Sequence, residues 1–243
     1  MISVVVSHYD RSEWLPEALA SVSAQTFRDF ETIVVSDAGP PVAAFSGVRV
    51  VRRSKRGGVA AVRNTGIASA SGDRIAYLDD DDLWEPSHLE RLSAALDAGA
   101  SLAYGDARVV RLSPAGGPPC TWPVLEQLPL AVPFDRDDLA RDDFVVPGGM
   151  MHTRELYDRI GPFDERLFVS DDWDWLLRAA QVTDFVRVPE NVITVRIHGD
   201  NLSALGDPRR RESLDALQAR HHTPFLQPKT FWEVAQTYAA RVK

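Results

Sequence analysis

Short β-branched runs alternate with amphipathic stretches along the first half of the chain, and that alternation limits the fold more than any other feature. "ISVVVS" (Ile2 to Ser7), "FETIVVSD" (Phe30 to Asp37), "VRVV" (Val48 to Val51), "RIAYL" (Arg74 to Leu78) and "SLAYGDARVV" read as strands. Runs that are apolar throughout suit strands buried on both faces. "SEWLPEALASVSAQ" sets Trp14, Leu15, Ala18, Leu19 and Val22 at helical spacing, with Ser12 as its cap. "GGVAAVRNTGIASA" reads as a helix opening after Gly57 and Gly58. "PSHLERLSAALDAG" reads as another, with Pro86 in its first turn and Gly99 just past its end. Together they predict an α/β fold with an open, mostly parallel sheet and helices on both faces. In such sheets ligands bind beyond the carboxyl ends of the strands. Three strands end in polar text there: Ser7-His8-Tyr9-Asp10, Ser36-Asp37 and Asp79 to Asp82.

The second half reads differently. "RLSPAGGPPCTWPVLEQLPLAVP" is rich in Pro and Gly and reads as a long loop. "VVPGGMMHTRELYDRIG" holds a short helix closed by Gly161, and "SDDWDWLLRAAQV" holds another. "FVRVPENVITVRIH" reads as two strands, or one broken at Pro189. The remainder reads as two helices separated by Pro224 and Pro228.

The 243 residues, 44% hydrophobic and 26% charged, are ordinary globular composition with enough apolar residues for a sizeable core. A formal net charge of -8 argues against general attraction to nucleic acid or anionic lipid. One cysteine, Cys120, builds neither a disulfide framework nor a cysteine zinc site. "ISVVVS" opens the chain without a basic region or cleavage signature, and no apolar run approaches the ~20 residues of a membrane span. A cytoplasmic protein is the expectation.

"RIAYLDDDDLWEP" raises the chemical question. Four carboxylates directly after a buried strand repel one another, strongly so near a low-dielectric core. Either the run is a solvated turn or something positive sits there. Oxygen-rich clusters hold Mg²⁺ or Mn²⁺ with one or two carboxylates plus substrate phosphates. Strand alternation sets Asp79 and Asp81 on one side. A calcium loop does not fit, because position six counted from Asp79 is Trp84 where a glycine is needed. In "SDDWDW", Asp171, Asp172 and Asp174 sit at a helix start, where they serve either the helix dipole or an acceptor hydroxyl as general base. Consecutive helix positions argue against Asp171 and Asp172 both pointing into a site. Asp37 follows a buried strand, where a carboxylate reads a base or ribose, and Tyr9 is placed to stack on a base or to pack at the edge.

"ISVVVSHYDRSEWLPEALASVSAQTFRDFETIVVSDAG", "VAAVRNTGIASASGDRIAYLDDDDLW", "PGGMMHTRELYDRIGPFDERL" and "SDDWDWLLRAA" together resemble the family-2 inverting glycosyltransferases of the GT-A fold. The resemblance implies a GT-A domain over 1–205, with a Rossmann-like nucleotide-sugar-binding half (1–110) and a variable acceptor and catalytic half (111–205). A C-terminal helical extension (206–243) follows. It implies transfer of a sugar from a nucleoside diphosphate sugar to an acceptor hydroxyl. Asp37 falls at the nucleobase and Tyr9 stacks on it, with Ser7 and Arg63 completing the donor contacts. Asp79 and Asp80 fall near the ribose and metal, Asp81 is the ligand to Mn²⁺ or Mg²⁺, and Asp82 lies outside it. Asp172 falls at the base, and His198 in "RIHGDNLS" approaches the metal or diphosphate. Gly148, Gly149, Met150, Asp171 and Trp173 are the implied acceptor contacts.

Two departures lie around the nucleobase. Ser36 stands before Asp37 where the family has a second acid, and Ser7-His8 replaces the usual Pro-Thr. The donor is expected to carry UDP ahead of dTDP or GDP. The acceptor is a sugar, a lipid-linked or a small-molecule hydroxyl, which leaves peripheral membrane contact and a homodimer open. Two rival readings remain. A sugar nucleotidyltransferase needs similar aspartates but normally a Gly-rich basic loop after the first strand, where this chain has "SHYDRSEW". A non-catalytic nucleotide-sugar-binding module would keep the fold without needing Asp81 and Asp172.

Overall fold

The computed structural model of the protein describes residues 1–199, 201 and 208–241. Strands are β1 (Ile2–His8), β2 (Phe30–Ser36), β3 (Val48–Arg52), β4 (Arg74–Asp79), β5 (Leu83–Trp84), β6 (Leu102–Leu112), β7 (Val124–Leu130), β8 (Met150–Thr153) and β9 (Val186–Ile197). Helices are α1 (Leu15–Ser23), α2 (Gly58–Ser69), α3 (His88–Asp97), α4 (Arg136–Leu139), α5 (Arg154–Ile160), α6 (Asp171–Ala180), α7 (Pro208–His221) and α8 (Phe231–Ala239).

One nine-stranded sheet carries the fold, in the order β3-β2-β1-β4-β8-β6-β9-β5, with β7 paired to the outer part of β6. The first four strands run parallel. Every residue of β1 is buried, as its unbroken apolar run requires. Helix α2 lies close against that strand: a Cβ built on Gly66 would stand 2.2 Å from Val5 Cγ1, so the position admits only hydrogen. β8 then enters antiparallel between β4 and β6, and β9 returns parallel to β6.

The stretch read as a long loop contains β7. It is an exposed edge strand antiparallel to β6, so it shows no apolar alternation, and Pro129 is tolerated because the edge needs no donor there. The segment around Pro189 is one strand, with register shifts against Gly105, Asp106 and Ala107 absorbing the irregularity. Ser12 caps nothing: α1 opens after Trp14, because Pro16 suits the first turn and fixes the start there. The two C-terminal helices form as expected, and Leu214, Leu217, Trp232, Val234 and Tyr238 join the same apolar core as the sheet.

Candidate active site

The parallel pairing aligns Ser7 with Asp79 and His8 with Ser36, so the three polar strand ends meet at one edge. A cavity of about 750 Å³ opens over that edge. Ser7, Tyr9, Asp37, Arg63, Asp79, Asp80, Asp81, Asp171, Asp172, Trp173 and His198 all line it.

The aspartate run is not a solvated turn. The strand ends at Asp79, the chain turns with Asp82 N–H donating to the Asp79 carbonyl, and each carboxylate goes its own way. Asp80 accepts from the Tyr9 amide at 3.2 Å and faces His8 Nδ1 at 2.7 Å. Asp81 meets the Arg11 guanidinium, with His198 Nε2 at 3.1 Å and Asn201 Nδ2 at 3.4 Å. Asp82 accepts from the Arg196 amide at 2.9 Å. Alternation therefore does not set Asp79 and Asp81 together; Asp80 and Asp81 share Arg11 instead. Burial would raise all these acids. At Asp81 the His198 hydrogen bond and the Arg11 charge override it and hold the carboxyl low. At Asp82 burial prevails, helped by the charges of Asp81 and Asp79, and the group is pushed well up. His198 is held over Trp14, ring centroids 4.4 Å apart.

Arg63 ties this run to the second acidic cluster. It rises from α2, buried, with Nη1 2.9 Å from Asp171 and 3.6 Å from Asp172, and Nη2 3.9 Å from Asp79. Burial works against its charge, but three carboxylates outweigh that and raise its pKa. One cation cannot satisfy three anions. Burial pushes Asp171 up to about 7 against the pull of Arg63, with the Asp172 charge adding to the push. Asp79 is driven to about 6 by the same causes, although its side chain stays 37% open to the cavity. Asp171 and Asp172 both line the cavity, contrary to the helical argument: they are the first two residues of α6, and both face Arg63. Asp171, 4% exposed, is a partner of Arg63 rather than an open acceptor contact.

At the other end, Asp37 accepts from the Gly57 amide (2.9 Å), the Gly58 amide (2.9 Å) and Arg53 Nε (3.0 Å). It thus anchors the start of α2, where a carboxylate also meets the helix dipole. Tyr9 is 38% exposed and carries the Arg56 guanidinium 3.9 Å from its ring centre. The Ser7 and Ser36 hydroxyls are buried with no hydrogen-bond partner among the described residues.

Gly148, Gly149 and Met150 do not reach the cavity. A Cβ at Gly148 would lie 2.6 Å from Ile193 Cδ1, the Gly148 carbonyl accepts from Trp84 Nε1 at 2.6 Å, and Met150 is fully buried at the start of β8. The wall residues are the preceding Asp142, Asp143, Val145, Val146 and Pro147. Sequence reasoning also missed Arg11 and Arg196, and gave His8 and Trp14 no role in the site. His8 was visible only within the polar end of β1 and Trp14 only as an apolar helix position, and each of the four matters through a partner at least 69 positions away. Arg11 stood as a lone cation two residues past Tyr9.

Among the described residues no three His, Cys, Asp or Glu side chains are grouped to enclose a metal. Asp81 with His198 nonetheless offers one oxygen and one nitrogen donor side by side. That fits an ion that takes its remaining ligands from substrate phosphates.

The sequence matches Glycosyl transferase family 2 over residues 3–161. The chain belongs to this family. It is 35% identical over 238 residues to the uncharacterized glycosyltransferase YwdF of Bacillus subtilis (strain 168), covering 95% of this chain and 87% of that protein. It is 28% identical over 118 residues to the Escherichia coli UDP-Glc:alpha-D-GlcNAc-diphosphoundecaprenol beta-1,3-glucosyltransferase WfgD, covering 45% of this chain and 47% of that one. Among solved structures it resembles S. aureus TarS 1-349 in complex with UDP-GlcNAc, with a TM-score of 0.69 at 16% identity. That match covers 90% of this chain and 65% of TarS 1-349, so this chain spans less than two thirds of that structure. The fold is GT-A, and the protein is a glycosyltransferase enzyme. No described helix is long and apolar enough to cross a membrane.

Proposed function

We propose that the protein is a metal-dependent, inverting glycosyltransferase that moves a sugar from a nucleoside diphosphate sugar to an acceptor hydroxyl. The observation that carries this reading is Arg63, one buried cation joining Asp79 of the aspartate run to Asp171 and Asp172 across the cavity. It fixes the distance between a diphosphate end and a base end in a single side chain.

Asp172 takes the proton of the acceptor hydroxyl as its oxygen bonds to the anomeric carbon. The bond from that carbon to the diphosphate oxygen breaks, and the diphosphate leaves with the electron pair. One displacement inverts the carbon. Arg63 holds Asp172 in place for its role as base. Asp81 and His198 would hold Mn²⁺ or Mg²⁺, which when bound supplies neutralisation of the charge growing on the leaving group. Arg11, on Asp80 and Asp81, adds a fixed positive charge at the same end. A glycosidase needs two carboxylates flanking a glycosidic bond and has no use for the aspartate run.

UDP is the favoured donor base, in keeping with TarS, which was solved with UDP and with UDP-GlcNAc. The name of WfgD makes a diphosphoundecaprenol-linked sugar one candidate acceptor. Calorimetric titration with UDP, dTDP and GDP, each with and without Mn²⁺, on wild type and Asp81→Ala, tests the donor end. Metal-dependent binding of one nucleotide that disappears in the variant is expected. Silence for all three under every condition would sink the assignment.

A further inference from the structure

Asp142 and Asp143 are sequence neighbours on the cavity wall, between α4 and β8, and they are treated differently. Asp142 is paired with Lys229 Nζ at 2.6 Å. Asp143 Oδ1 is buried and has no hydrogen-bond partner among the described residues. Buried polar atoms are nearly always partnered, because an unpartnered one forfeits its hydration without return. Phe144 and Val145, which follow directly, are anchored in the core, so Asp143 is not at liberty to turn away to solvent.

The charges near Asp143 explain what would suit it. Asp172 acts on it most strongly after burial itself, with Arg63 opposing and Asp171 and Asp142 adding to Asp172; Arg210 faces it as a further cation. A neutral hydroxyl donor would be welcome, and it would lie beside the base. The cavity is also lined by Trp173 and Phe231, the Trp173 ring fixed by its Nε1–H donating to the Leu139 carbonyl at 2.7 Å, while Phe168 carries the Arg209 guanidinium 3.5 Å from its ring centre. Carboxylate oxygen beside flat apolar surface matches a sugar, which carries hydroxyls on its rim and C–H groups on its face.

We propose that Asp143 is an acceptor-binding residue: its unpartnered oxygen accepts a hydrogen bond from a hydroxyl of an acceptor sugar, next to the hydroxyl that Asp172 deprotonates. The inference rests on the transfer reading above and narrows the acceptor to a pyranose with a second hydroxyl in reach. It also assigns the α8 residue Phe231 to the acceptor wall, so the C-terminal helices complete the site.

The test uses the full chain with UDP and Mn²⁺ present. Methyl β-glycosides of glucose, galactose, mannose and N-acetylglucosamine are titrated by calorimetry into wild type, Asp143→Ala and Asp143→Asn. Binding of at least one glycoside to wild type is expected, weakened ~10-fold or more in Asp143→Ala, with UDP affinity unchanged. Deoxy analogues of the bound glycoside sharpen the result. Removal of one particular hydroxyl should weaken binding to wild type and leave Asp143→Ala indifferent. Both variants should melt higher than wild type without ligand, because a residue kept for a ligand costs the unliganded fold. A residue serving only the fold would do the reverse. Glycoside binding identical in wild type and Asp143→Ala, no glycoside bound by wild type, or a lower melting temperature in both variants overturns the proposal while leaving the donor site intact. Failure of every nucleotide to bind wild type removes the transfer reading itself, and this inference with it.

Discussion

The two walls of the cavity handle their carboxylates in opposite ways. On the wall built from β1, β2 and β4, Asp37, Asp80, Asp81 and Asp82 each meet an arginine, a histidine or backbone amides. On the wall built from α6 and the segment before β8, Asp143 has an oxygen with no partner among the described residues, and Asp172 accepts from the Trp173 amide at 2.9 Å and lies 3.6 Å from Arg63, with 19% of its side chain open. Apart from Asp79, the carboxylates of the first wall are held before any ligand arrives, which suits the proposed nucleoside diphosphate. The second keeps uncommitted hydrogen-bonding capacity for the part that differs among relatives.

If that contrast is right, the largest effect lies at Asp172. Asp172→Asn should cut transfer by ~10²–10⁴-fold, the range of a lost general base, with nucleotide affinity unchanged by calorimetry. Nucleotide affinity that falls together with the rate would place Asp172 on the donor wall and erase the distinction.

Arg63 is the one residue common to both walls. Arg63→Met leaves Asp79, Asp171 and Asp172 facing one another without a cation, and breaking a buried pair in this way costs ~3–5 kcal/mol. Denaturant unfolding should show that loss at pH 8, and acid should lessen it as the carboxylates take protons. Asp81→Ala, remote from α6, should instead lose metal-dependent nucleotide binding and little stability.

The same contrast explains what was legible in the sequence. The parallel half could be read because each of β1, β2 and β4 is an apolar run that needs no partner to be recognised. Its polar ends fall into line by register alone, so the Asp79–Asp82 run and Asp37 could be placed, whereas Asp172, at the start of α6, is assigned as base only through the family resemblance. The other half could not. β7 is exposed along most of its length, β5 has two residues, and β8 has four. None leaves a periodic trace. Gly148 and Gly149 drew attention as glycines beside a site, yet they are there because Ile193 leaves no room for a side chain. Asp143 gave no signal, since an aspartate in a polar stretch looks like any solvated residue until packing closes over its oxygen.

A smaller effect concerns protons. Asp171, pushed to about 7 in the fold from an ordinary 3.8, keeps a proton that the unfolded chain has already lost. Its contribution to stability is therefore present at low pH and fades as pH rises from about 4 to about 7. His88 and His152, lowered by burial to about 3 and about 4, act with the opposite sign over much the same range. The wild-type melting curve alone mixes the two. The difference between Asp171→Asn and wild type isolates the acid, and that difference should grow in favour of the variant between pH 5 and pH 8. A difference that stays flat would mean that Arg63 holds Asp171 ionised throughout.

The smallest effect tests the open edge of the donor wall. Tyr9 is a predicted donor contact there that is 38% exposed, and Arg56 lies over its ring. A nucleobase that stacks on Tyr9 must either displace Arg56 or use the other face. Loss of an aromatic stacking partner costs ~1–3 kcal/mol per base, so Tyr9→Ala should weaken UDP binding by about tenfold and leave the thermal stability where it was. Arg56→Ala then separates the two geometries. If the base takes the face that Arg56 covers, removing the arginine frees that face and UDP binds at least as well as to wild type. If the base takes the other face, Arg56 polarises the ring from behind, and its loss should weaken binding slightly, in a salt-dependent way. Unchanged affinity in Tyr9→Ala would move the base off Tyr9 and leave the rim of the donor wall without a role in stacking.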